Sequence, residues 1–119
     1  MAREKNEKQH SQTNNEDYLI SQYVYEDVLK YEQVSRFIND SLTDSLSRGI
    51  LGKDVIPTGI KIEREENFLI ISIQIIVYYG AIIPQLSYDI QRSVKNTVEE
   101  HIGITVSAVN IAVEGIDRR

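Results

Sequence analysis

Two rhythms organise the hydrophobic positions of this chain. Val24, Val28, Tyr31, Ser35, Ile38 and Leu42 recur at spacings of three and four, which aligns them along one stripe of a helix. Ser21 is a good N-cap for such a helix, and residues 18–20, Tyr-Leu-Ile, read as a very short strand ahead of it. Asn39, Asp40 and Ser41 compete with helical hydrogen bonding, so the helix is expected to end there or to continue weakly through Leu46. The second rhythm has period two. Leu69, Ile71, Ile73, Ile75 and Val77 share one face of a long strand, and Phe68, Ile70, Ser72, Gln74, Ile76 and Tyr78 share the other. Its dense β-branched content disfavours a helix there.

Shorter signals fill in the rest. Ile60, Lys61, Ile62 and Glu63 alternate as a strand, and Glu65, Glu66 and Asn67 make a polar turn into the long one. A second helix opens near Pro84, repeats Leu86, Ile90, Val94 and Val98 at every fourth residue, and stops at Gly103, a residue suited to the left-handed C′ position. Residues 106–114 form a last strand, with Val109, Ile111 and Val113 on one face and Ala108, Asn110, Ala112 and Glu114 on the other. The predicted fold is α+β in the order β-α-β-β-α-β, with two helices packed on one face of a small mixed sheet. Residues 47–59 carry Gly49, Gly52, Pro57 and Gly59 and read as a loop. Residues 1–17 are too polar to offset their ordering entropy and read as a tail, which leaves one domain over 18–116 and a short tail at 117–119.

Composition narrows the function classes. The formal charge of -5 opposes association with phosphate backbones and anionic headgroups, so nucleic acid and bare membrane are poor partners. The apolar tract at 68–83 is interrupted by Ser72, Gln74 and Gly80 and falls short of the roughly 20 residues that cross a bilayer, which argues against direct membrane insertion. The absence of cysteine removes disulfides, thiolate catalysis and Cys-ligated zinc, and suits a reducing compartment. No apolar leader stands at the first residues, so a cytoplasmic location is expected.

Catalytic signals are missing. His10 and His101 have no ligand-spaced partner, so no metal site is expected, and Glu99 to His101 read as a solvated helix end. No nucleophile elbow and no phosphate-cradling glycine loop occurs, and no cofactor or catalytic residue is assigned. Arg48, Gly49, Gly52 and Lys53 resemble the G-x-x-G loop of KH domains. Pro57 leaves no room for the helix that should follow such a loop, so nucleic-acid binding through Arg48 and Lys53 is the weakest alternative.

The pattern Ile75-Ile76-Val77-Tyr78-Tyr79-Gly80, Ile83-Pro84, Ile90-Gln91-Arg92-Ser93-Val94, Gly103 and Val109-Asn110-Ile111-Ala112-Val113-Glu114-Gly115-Ile116 resembles the alkaline shock protein family of Gram-positive bacteria. The match runs over about residues 60–116. The N-terminal half agrees in layout only, and Tyr78 stands where the family commonly has Glu. The resemblance implies a non-enzymatic protein of stress and envelope homeostasis that acts through protein partners, held beneath the membrane by a small anchor protein and able to form homo-oligomers. Other branches imply a regulator of fatty-acid metabolism that binds a lipid-synthesis enzyme. The sequence alternation suggests where partners would dock: Ile70, Ile76 and Tyr78 on the mixed face of the long strand, with Tyr79 at its end, or else an unpaired sheet edge.

Overall fold

The computed structural model describes residues 15–39 and 55–119. Two helices and four strands follow one another as α1 (Asn15–Leu29), β1 (Val34–Phe37), β2 (Ile60–Glu65), β3 (Phe68–Tyr78), α2 (Ile83–Ile102) and β4 (Thr105–Asp117). The class is α+β, with both helices on one face of a mixed sheet. The order is α-β-β-β-α-β, so the first helix and the first strand exchange the places expected of them.

The exchange has a physical cause. Residues 18–20 are helical because Ile20, Val24 and Val28 continue one stripe at spacings of four, and all three are fully buried. Ser21 lies inside the helix and caps nothing; its hydroxyl donates back to the Tyr18 carbonyl at 2.6 Å. Glu16 and Asp17 occupy the first turn, where acids favour the helix dipole, and Arg64 of β2 bonds both at 2.6 Å. At the other end the apparent stripe through Tyr31, Ser35 and Ile38 is coincidental. The backbone leaves the helix after Leu29, and Val34 and Phe37 enter the core from a strand instead.

β3 explains why. Its whole length pairs in parallel with β4, from Phe68 opposite Thr105 to Tyr78 opposite Asp117. The opposite edge is shared end to end by two antiparallel partners: β2 covers Phe68 to Ile73, and β1 covers Ile75 to Val77. Without residues 34–37 the last residues of β3 would lack a partner on that side, and unpaired buried backbone is costly. The handover falls at Gln74, whose N–H donates to the Gly59 carbonyl at 2.8 Å while its carbonyl accepts from Ile38 N–H at 3.1 Å.

Leu69, Ile71, Ile73, Ile75 and Val77 form the buried face of β3, as the alternation predicts. Against them pack Ile20, Val24 and Val28 of α1 and Leu86, Ile90, Val94 and Val98 of α2. α2 starts with Pro84 in its first turn and stops at Gly103, which has φ 83° and donates to the Glu99 carbonyl at 3.0 Å. β4 is longer than expected and carries irregularities at Ser107 and Glu114, so its alternation is reset beyond position 113.

Candidate interaction surface

The second face of β3 carries Phe68, Ile70, Ser72, Gln74, Ile76 and Tyr78, all half-buried, and none of the described helices lies over it. Registration places Glu63 and Ala108 beside Ile70, and Arg36 and Gly115 beside Ile76. Small residues on β4 leave the isoleucines room to spread. A Cβ built on Gly115 would stand 3.1 Å from the Ile76 Cδ1, so the glycine lets this side chain lie across β4. The result is an apolar spine bordered by Glu63 and Glu65 on the β2 side and by cationic groups at the far end.

That far end is tied together by contacts between distant parts of the chain. Asp117 accepts from Ser35 Oγ at 2.7 Å and from Arg36 Nε at 3.2 Å, and these bonds hold its carboxyl below the usual carboxylate range. The Arg119 guanidinium lies 4.3 Å from the Tyr78 ring centroid and donates to the Glu32 carbonyl at 2.9 Å. Arg118 stands 5.4 Å from the Tyr79 ring, which is 71% exposed on the turn preceding α2. Ile70, Ile76 and Tyr78 therefore share one face, and Tyr79 sits just beyond its end, its N–H donating to the Asp117 carbonyl at 2.8 Å.

The cap formed by Asp117, Arg118 and Arg119 escaped the sequence reading. It depends on contacts between residues about eighty positions apart, and nothing local signals them. The Arg48 to Lys53 loop and His10 lie outside the described residues. His101 stacks on Tyr23 with ring centroids 4.6 Å apart, which joins the C-terminal end of α2 to α1.

Two surface clefts open on the described part of the molecule. One of about 290 Å³ lies between the turn after α1 and the start of α2, beside Lys30, Gln33 and Asp89; another of about 310 Å³ lies beside Arg64, Asn67 and Gly103. Their cations are already engaged, Lys30 with Asp27 and Ser93 and Arg64 with Glu16 and Asp17. Among the described residues no group of three His, Asp or Glu side chains is placed to hold a metal ion, and no buried side-chain polar atom lacks a partner. No described helix is long and apolar enough to cross a membrane.

Mixed α+β topology with one sheet face covered and, among the described residues, the other open defines a class of small two-layer modules. Comparison with known proteins gives the family: a model of the alkaline shock protein 23 family, described as having a cell envelope-related function, matches residues 5–118, and the chain belongs to that family. It is 37% identical over 79 residues to the uncharacterised protein YloU of Bacillus subtilis, covering 66% of this chain and 62% of that protein. Over 86 residues it is 35% identical to the uncharacterised Spy1535 of Streptococcus pyogenes, covering 71% of this chain and 63% of that protein. The matched region thus spans less than two thirds of either relative. Among solved structures, MamM CTD superposes with a TM-score of 0.46 at 11% identity, over 85% of this chain and 95% of that one.

Proposed function

We propose that this protein is a non-enzymatic interaction module of the cell envelope that docks a protein partner on the open face of its sheet. The observation that carries this reading is the apolar pair Ile70 and Ile76, next to Tyr78 under the Arg119 guanidinium, over which no described helix lies while the opposite face of the same strand is fully buried. An antiparallel or mixed sheet with one solvated face normally alternates apolar with polar residues. Here the solvated side of the central strand keeps Phe68, Ile70, Ile76 and Tyr78, and a desolvated aromatic and aliphatic centre with a charged rim is the anatomy of a docking patch. The family's envelope-related role supports a cytoplasmic module held at the membrane through a small anchor protein.

Capture from gently solubilised cells tests the proposal, with the full chain and an Ile70→Lys/Ile76→Lys variant as baits. The wild type is expected to retain a specific protein that the variant loses, while both fold equally by circular dichroism. Equal capture by both baits would remove the open face from consideration. The prey distinguishes the two envelope roles: a small membrane protein supports tethering, and a carboxylase or acyl-chain enzyme supports regulation of lipid synthesis.

A further inference from the structure

β4 forms the outer edge of the sheet, and its two halves are treated differently. Along the first half α2 closes the edge. Val106 N–H donates to Glu99 Oε2 at 2.8 Å, the Val106 carbonyl accepts from Lys95 Nζ at 2.8 Å, and the Val109 carbonyl accepts from Gln91 Nε2 at 2.9 Å. Backbone groups of alternate residues point the same way in a strand, so Ile111 and Val113 direct their N–H and C=O outward as Val109 does. Among the described residues nothing meets them. This second half carries no lysine, arginine or proline to discourage pairing, and Ile116 is 58% exposed beside it.

We infer that residues 110–114 pair antiparallel with the same residues of a second copy, about a two-fold axis through Ala112. The segment Asn110-Ile111-Ala112-Val113-Glu114 is complementary to itself in that register. Ile111 of one copy exchanges both backbone hydrogen bonds with Val113 of the other, and their side chains meet on the helix-covered face. Ala112 meets its own equivalent on the open face. The Asn110 amide comes opposite the Glu114 carboxylate, which already accepts from Gln74 Nε2 at 3.2 Å and has a second oxygen to offer. An isologous contact needs this kind of self-complementarity, which a foreign strand would have to match by chance. The bulge at Glu114 and the capped carbonyl of Val109 end the free ladder on either side, and so set the register. Pairing would join two sheets into one, with both docking faces on the same side, and so would give a bivalent surface. The inference deepens the interaction-module reading through a separate surface, so either can fail alone.

The test uses the absence of native cysteine. In the paired register the two Ala112 residues form a non-hydrogen-bonded pair with Cα atoms about 4.5 Å apart, within disulfide range. Under mild oxidation the full chain bearing Ala112→Cys is expected to cross-link on the order of tenfold faster than one bearing Lys61→Cys on β2, because pairing raises the effective concentration. Adding Val113→Pro removes an outward N–H and should abolish the advantage while helical circular dichroism is retained. Sedimentation should report twice the 13.7 kDa chain mass for the wild type and a monomer for Val113→Pro. Equal rates for the two cysteine variants would overturn the edge pairing, as would a dimer that survives Val113→Pro. Neither result would touch capture by the Ile70 and Ile76 face.

Discussion

Gly59 stands where β2 gives way to β1 along the edge of β3. A Cβ there would lie 2.7 Å from the Gln74 carbonyl oxygen and 3.1 Å from Phe37 Cβ, and backbone on a fully paired strand cannot retreat. Gly59→Ala is therefore expected to destabilise the fold by about 1–3 kcal/mol, as other overpacked core positions do. Urea denaturation measures it directly; an unchanged midpoint would mean that the two short strands are not this close. Asp117 is a second residue with a distinct signature. Its folded pKa lies below the unfolded one, through the Ser35 hydrogen bond first and Arg36 second. The stabilisation is thus present above the unfolded value and disappears as pH falls through the folded one. Against Asp117→Asn, the wild type should show a constant advantage above about pH 5 that closes below about pH 4. An advantage that persists in acid would place the bond with some other ionisation.

At the scale of elements, α2 was legible almost to the residue and α1 was not. The difference lies in what ends each helix. Gly103 stops α2 locally, by taking a left-handed conformation that other residues resist. Gly103→Ala meets no atom within 4 Å, so its expected cost of about 1 kcal/mol is purely conformational, and Gly103→Asn should recover much of it. Thermal unfolding of the two variants compares them, and an alanine variant as stable as the wild type would contradict the cap geometry. α1 has no such stop after Leu29. Lys30 to Gln33 are compatible with a continued helix, and the stripe through Tyr31 and Ser35 supports it. The decisive factor is remote: β3 exposes an edge at Ile75 to Val77 that Val34 and Phe37 can satisfy only in extended form. The strand reading of residues 18–20 failed in the complementary way, because a three-residue β-prone run is also one turn of a longer amphipathic helix.

For the whole molecule, β3 is the axis on which everything depends, since it alone among the described strands is paired along both edges and buried on one face. Amide hydrogen exchange should accordingly be slowest within residues 69–77, faster in β2, and fast for the outward N–H groups of Ile111 and Val113 in the monomer. Protection of those two amides that grows with protein concentration would mark pairing between copies. Exchange in β2 as slow as in β3 would show that the hairpin, rather than the parallel β3 and β4 pair, is the stable nucleus.

Periodicity by itself determined which residues face the core. The stripe of α2, the two faces of β3 and the valines of β4 follow from the repeat lengths of helix and strand, which are local properties of the backbone. The same alternation singled out Ile70, Ile76 and Tyr78 and separated them from the core, and the motifs at 75–84 and 109–116 pointed to the family that the comparison establishes. Only tertiary structure decided the order of α1 and β1, the division of one β3 edge between two strands, and the capping of Tyr78 by Arg119. It also decided which half of β4 is closed by α2 and which is left free among the described residues. All of these depend on hydrogen-bonding groups brought together from distant parts of the chain, and a sequence pattern shows what an element buries without showing what stands beside it.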